Sequence, residues 1–210
     1  MSLAALVMAG GRASRMGTKV EKSLLVVSGK SMLRLVIEVL KQTSVDRIVV
    51  ASSINTPATS IEARRMGVEV LVTPGDGFEE DMRFAIRQLS LGDVLVVSAD
   101  LPFITAEIVE RAVEQYRSSG KPALAVMAKP KAYEEIGSKP QYLFKVDGQD
   151  FVPVGINIVD GKRIDQGELD QTIFVIDSGD VVLNVNTLEE LDLARRKFSD
   201  TRGSGTRQDG

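Results

Sequence analysis

Between Leu6 and Lys22 the chain reads L-V-M-A-G-G-R-A-S-R-M-G-T-K-V-E-K. A short apolar run meeting paired glycines reads as a buried strand that enters a tight turn. Glycine frees the backbone to turn its N–H groups toward a ligand, and no Cβ holds the ligand away. Arg12, Arg15, Lys19 and Lys22 follow within the same loop. Backbone donors and several cations in one loop suit a polyphosphate. A lone Gly-Gly pair reads more simply as a surface turn with solvated charges. It is the whole set, strand, Gly10-Gly11, Arg15-Met16-Gly17 and Lys22, that favours phosphate. The loop has neither the Gly-Lys-Ser/Thr ending of a P-loop nor the G-x-G-x-x-G spacing of a dinucleotide turn.

The rest of the chain supplies alternating strands and helices. Leu3–Met8 is the first expected strand and 23–27 a second short extended piece. After the turn at 28–30, Ser31 caps a helix with Leu33, Val36, Ile37 and Leu40 on its apolar face. Strands are expected over 47–51, 68–72 and 94–97, with a helix over 59–66 closed by Gly67. Strand, helix, strand at this spacing makes parallel βαβ units with right-handed crossovers. Thr105 to Ser119 reads as a helix stopped by Gly120, and 123–128 as a strand. From 129 to 154 the chain leaves the pattern, with charges, prolines and a short extended piece at 142–146. Strands over 152–159 and 172–176 follow. Thr187 and Glu190 make a capping box for a last helix. The fold class is therefore α/β, a Rossmann-like, mostly parallel twisted sheet with helices on both faces. Residues 1–198 are expected as one domain, and 199–210, polar and without an apolar face, as a disordered tail.

Several loops after strands carry candidate site residues, because open α/β sheets bind ligands at the carboxyl ends of their strands. Ser53 and Asn55 offer a hydroxyl and an amide to a base or ribose, or simply start a helix. Gly75 and Gly77 allow a close backbone approach. Glu79, Glu80 and Asp81 fall in the next helix's first turn, where acids suit the helix dipole. Alternatively, one carboxylate accepts N1–H and N2–H of guanine, with Glu80 and Asp81 as candidates. Asp100 directly follows a fully apolar strand, a good place to hold a hard divalent cation against a polyphosphate. The competing reading is a helix or turn cap, a role that Thr105 can serve itself. Gly155 inside a strand signals either a bulge or a close approach by a ligand or another backbone.

Composition narrows the chemistry. The 210 residues contain no Cys and no His. Disulfides, thiol nucleophiles, imidazole acid–base catalysis and His- or Cys-ligated zinc are excluded. A net charge of −3 gives no reason to expect nucleic-acid binding. No run is long enough for a membrane span, and the first nine residues lack a positive leader, so a cytoplasmic location is expected.

G-G-x-x-x-R-M-G, S-A-D-L-P at 98–102 and N-V-N-T at 184–187 together resemble the nucleotidyltransferase superfamily, whose first motif is commonly G-G-x-G-T-R-M-G followed by P-K. Here Ala13-Ser14 stands for Gly-Thr, and Glu21 stands for Pro. A-S-S-I-N-T-P, P-G-D-G-F-E-E-D, A-L-A-V-M-A-K-P and P-V-G-I-N-I-V narrow the resemblance to archaeal GTP:adenosylcobinamide-phosphate guanylyltransferases. That resemblance implies GTP and adenosylcobinamide phosphate as substrates, Mg²⁺ as cofactor and a homodimer. It implies Ala9, Gly10, Gly11, Arg12 and Ser14 around the triphosphate, with Arg15, Lys22 and Asp100 as the catalytic set. Asp100 and Asn186 would hold Mg²⁺, and Gly155 and Asn157 would lie on the acceptor side. Within the superfamily, transfer to molybdopterin or to a sugar phosphate stands as the alternative. Outside enzymes, the alternatives are a catalytically silent GTP-binding domain and a structural subunit.

Overall fold

A computed structural model describes residues 2–11, 16–140, 142–177 and 179–204, with side chains up to residue 200. Arg12, Ser14 and Arg15 lie outside the described residues.

Strand β1 (Leu3–Met8) lies in the interior of an eight-stranded sheet. All six of its residues are buried. Leu3, Ala5 and Val7 enter one apolar core, and Ala4, Leu6 and Met8 enter the other. A strand covered on both faces needs no polar side, which is why its sequence is uniformly apolar. On the first face pack α1 (Met32–Leu40), α4 (Ala106–Ser119) and α6 (Leu188–Ser204). On the other face α3 (Phe78–Gln88) inserts Ala85 and Ile86. Burying a Leu or Ile side chain is worth roughly 1.5–3 kcal/mol, so these two faces carry most of the fold's stability.

From β1 the chain builds outward through β4 (Arg47–Ser53), α2 (Pro57–Arg65) and β5 (Glu69–Thr73), each strand parallel to its neighbour. It then returns to the opposite side of β1 for β6 (Asp93–Ser98), again parallel. Between the carboxyl ends of β1 and β6 the winding direction reverses, and such a switch point opens a crevice. Beyond β6 the order is β9 (Gln149–Asp160), β7 (Ala123–Ala128) and β10 (Gln171–Ile176). Strand β9 is antiparallel to both neighbours, and β10 runs parallel to β7. The expected sheet is thus present, with one long antiparallel insertion.

The helix starts follow the sequence. The Ser31 hydroxyl accepts from Arg34 N–H at 3.3 Å, and the Thr105 hydroxyl from Ile108 N–H at 3.3 Å. The Thr187–Glu190 box closes in both directions. Gly120, at φ 65°, ends α4 in a left-handed conformation that suits a residue without a Cβ.

Four local expectations are corrected. Residues 22–24 form a 3₁₀ turn, with Leu25 N–H donating to Lys22 C=O, rather than an extended piece. Only β2 (Val26–Val27) is extended, and it pairs with β3 (Lys30–Ser31) across Ser28 and Gly29, both at positive φ. Ser52 and Ser53 belong to β4 and are buried, so the following loop is shorter than expected. The excursion after β7 contains a helix, α5 (Pro130–Glu135), and a hairpin strand, β8 (Phe144–Val146), paired with β9. The last helix runs on to Ser204, past the expected boundary at 198.

Candidate active site

The two strands that flank the switch point deliver the site's floor. Gly10 and Gly11 follow β1, and Ala99 and Asp100 follow β6. Ala99 N–H donates to Met8 C=O at 3.1 Å and stitches the two turns together. Asp100 C=O accepts from Val185 N–H at 3.0 Å, which brings the segment 184–186 alongside. Above these turns lies a cavity of about 480 Å³. Ala9, Gly10 and Gly11 form one wall, and Gly75, Gly77, Phe78 and Asp81 form another. Lys22, Asp100, Asn186 and Tyr142 close the far end. The size suits a nucleotide-class ligand.

Lys22, Asp100 and Asn186, far apart in sequence, meet here. The Lys22 ammonium donates to Asp100 Oδ2 in a short ion pair and to Asn186 Oδ1 at 2.6 Å. An ammonium has three N–H groups, so one remains for a phosphoryl oxygen. Asp100 is buried, and its Oδ1 has no hydrogen-bond partner among the described residues. An orphaned buried carboxylate oxygen costs free energy unless a donor or cation reaches it. That oxygen fits a hard divalent cation, which takes oxygen ligands and commonly uses one or two carboxylates plus substrate phosphates. Among the described residues no three acidic side chains converge here, so the nucleotide would have to complete the shell. Asn186, expected to share the metal, accepts from Lys22 on its Oδ1.

The second wall sorts the candidate guanine readers. Glu80 is exposed and its carboxylate folds back over Gly77, where an added Cβ would lie 2.6 Å from Oε2. It does not line the cavity. Asp81 is buried, lines the cavity, and accepts the Gly75 N–H on Oδ1 at 2.9 Å. Gly75 sits at φ 86°, and a Cβ there would lie 2.6 Å from Asn55 Nδ2. The close approach that needs this glycine is therefore already made by the protein.

Ser53 and Asn55 stand behind the walls rather than in them. The Ser53 hydroxyl donates to Gly10 C=O at 3.0 Å and accepts from Asn55 N–H at 3.2 Å. A Cβ on Gly10 would come within 3.1 Å of the Ser53 Cβ. These two residues tie the phosphate turn to the Gly75 turn, and neither lines the cavity.

The acceptor-side candidates Gly155 and Asn157 line neither this cavity nor its neighbour. Gly155, at φ 88°, lies where the β7–β9 register shifts, so a bulge is present. Its close neighbours are Asn184 Nδ2 and the Ser98 Cβ. Asn157 is mid-strand, opposite Val96 and Ala125, away from the strand ends that line the site.

Glu21, which replaces the usual proline, has a role the sequence did not show. Its carboxylate accepts from Ala58 N–H at 2.8 Å, from Thr59 N–H at 2.6 Å and from the Thr59 hydroxyl. It caps α2 from outside, while Thr56, the residue in the capping position, makes no such bond.

A second cavity of about 190 Å³ adjoins the first and shares Asp100, Tyr142 and Asn186 with it. Its remaining walls come from the excursion after β7 and from 184–190. Tyr133 lies here, its hydroxyl donating to Pro153 C=O at 3.5 Å. Burial, and then the nearby Glu190 and Asp100 carboxylates, push its ionisation upward, so it stays a neutral donor.

Comparison with known proteins identifies the family. Residues 5–147 match the model of the MobA-like NTP transferase domain. The chain is 33% identical over 200 residues to the adenosylcobinamide-phosphate guanylyltransferase of Methanocaldococcus jannaschii, covering 90% of this chain and 94% of that protein. It is 35% identical over 118 residues to a probable molybdenum cofactor guanylyltransferase of Thermococcus kodakarensis, 56% of this chain and 55% of that one. Among solved structures, a putative glucose-1-phosphate thymidylyltransferase from Bacillus anthracis superposes with a TM-score of 0.75 at 16% identity, over 95% of this chain and 96% of that one.

Proposed function

The chain belongs to the MobA-like NTP transferase family, and from that membership we propose that it transfers GMP from GTP to adenosylcobinamide phosphate, releasing pyrophosphate. The observation that carries the chemistry is the Lys22–Asp100–Asn186 cluster under the Gly10–Gly11 turn. The acceptor is supported by the similarity that spans nearly the whole of both chains, whereas the molybdenum cofactor relative matches little more than half.

In the proposed step an acceptor phosphate oxygen forms a bond to the α-phosphorus of GTP, and the bond to the β-bridging oxygen breaks. A phosphate monoester has a second pKa near 6, so it is largely dianionic at neutral pH and needs no general base. That suits a site without His or Cys. The barrier is one of charge, an anion meeting a polyanion, and is lowered by positioning and neutralisation. The N–H groups of Gly10 and Gly11 take the phosphates, and Arg15 the leaving pyrophosphate. Lys22, oriented by Asp100 and Asn186, places its third N–H on the α-phosphoryl oxygens. Nucleotidyltransferases of this kind typically use a divalent metal. Here Asp100 Oδ1 would hold Mg²⁺, which neutralises phosphate charge when bound. Asp81 is the carboxylate best placed to read guanine.

The test is pyrophosphate release with Mg²⁺, adenosylcobinamide phosphate and each of GTP, ATP, CTP and UTP. Release with GTP alone is expected. Release only when molybdopterin or a sugar phosphate replaces the acceptor would overturn the acceptor assignment. A GTP-induced rise in melting temperature without turnover on any acceptor would make the chain a silent binder.

A further inference from the structure

The second cavity has a charge problem that one residue solves. Two carboxylates line it, Asp100 and Glu190. Glu190 Oε2 is engaged by the N–H groups of Asn186 and Thr187, at 2.6 and 3.0 Å, and Asp100 Oδ2 by Lys22. Lys22 itself faces only the first cavity. A dianionic phosphate entering the second cavity therefore needs a cation of its own. Lys139 is the one cation among the described residues that line it. Neighbouring lysines of the excursion are already paired, Lys129 with Asp177 at 3.0 Å and Lys131 with Glu135 at 3.5 Å. Lys139 makes no ion pair among the described residues.

We propose that the second cavity is the acceptor's phosphate subsite, with Lys139 as the residue that binds that phosphate and Tyr142 as the shared wall between acceptor and nucleotide. The identity of the acceptor rests on the reading above; the phosphate subsite rests on this geometry. Tyr142 is 63% exposed, and Leu143 and Phe144 after it are 56% and 51% exposed. This apolar run, leading away from the cavity, gives a large acceptor body somewhere to lie once its phosphate is inside. Asn184 Oδ1, buried at the cavity wall and without a partner among the described residues, would take a hydrogen bond from a donor close to that phosphate.

The experiment is calorimetric titration into protein saturated with Mg²⁺ and a non-hydrolysable GTP analogue. The ligands are adenosylcobinamide phosphate and phosphate-free adenosylcobinamide, and the proteins are wild type, Lys139→Ala and Lys139→Arg. A charge-assisted contact of this kind is worth roughly tenfold or more in affinity. Lys139→Ala should weaken the phosphorylated ligand by about that factor and leave the phosphate-free ligand and the GTP analogue unchanged. Lys139→Arg should restore most of the loss. Equal binding of the phosphorylated ligand to wild type and Lys139→Ala overturns the subsite while leaving the proposed reaction intact. If wild type ignores adenosylcobinamide phosphate but uses molybdopterin or a sugar phosphate, the acceptor reading fails. The same Lys139 pair read on that acceptor then supports or overturns the subsite. Binding of no phosphorylated acceptor at all overturns both.

Discussion

The proposed mechanism gives Lys22 two functions in one side chain, and they can be separated. It neutralises Asp100, whose side chain is only 11% exposed, and in the proposed step it keeps one N–H for the reacting phosphoryl group. Removing one transition-state donor typically costs ~3 kcal/mol, a hundredfold or more in rate. Lys22→Ala should therefore lower turnover by about that factor while GTP affinity changes much less. It should also lower the melting temperature, because a largely buried carboxylate loses its cation. In the double variant Lys22→Ala with Asp100→Asn the carboxylate charge is gone, so the melting temperature should recover while the rate does not. Turnover and GTP affinity lost in equal measure in the single variant would sink the transition-state role. Recovery of rate in the double variant would show that only the pairing mattered.

At the level of elements, Glu21 stands where the family's first motif commonly has proline, and it caps a helix that the motif does not contain. Its φ is −61°, close to the value that a proline ring fixes. The backbone at this position is one a proline could take, and the carboxylate caps α2. Loss of such a cap costs ~1–2 kcal/mol. Glu21→Ala should lower stability by about that much. Glu21→Pro should lose the cap but keep the backbone angle, and so retain more activity than Glu21→Ala; steady-state rates beside melting curves would decide. A Glu21→Pro variant less active than Glu21→Ala would show that the carboxylate, not the φ, sets the loop. None of this was legible in the sequence, since Glu21 meets Ala58 and Thr59 only once α2 is folded against the loop. The caps at Ser31, Thr105 and Thr187 were legible because donor and acceptor lie within one turn. Strands β1, β6 and β7 were legible because burial on both faces leaves an unbroken apolar run. Helix α5 was missed because six residues present too short a period, and the ends of α6 and β4 because polar sequence does not by itself end an element.

For the whole molecule, the sheet's reversal beside β1 sets the first cavity, and the antiparallel β9 with its excursion sets the second cavity against it. Asp100 and Asn186, which line both cavities, were readable as candidates from their motifs. Tyr133, Lys139, Tyr142 and Asn184 were not, because an irregular excursion gives no period from which to infer what faces a ligand. The same architecture makes a prediction about pH. The chain has no His or Cys, so no side chain has an ordinary pKa between 5 and 8. The acceptor phosphate does, near 6. Its dianion is the proposed nucleophile and the ligand of Lys139, so kcat/KM for the acceptor should fall about tenfold per pH unit below roughly pH 6. Tyr133 is raised by burial and by Glu190 and Asp100, which keeps its proton on through neutral and mildly alkaline pH. It should therefore cause no loss of rate up to its ordinary value near 10. The assignment is checked by replacing the acceptor phosphate with a more acidic analogue such as a thiophosphate. If the acid limb belongs to the acceptor it moves to lower pH with the analogue, in wild type and Lys139→Arg alike. A limb that stays in place belongs to the enzyme–GTP complex instead, to the terminal phosphate of GTP or to a carboxylate lining the two cavities, and the acceptor dianion would then not be what sets it.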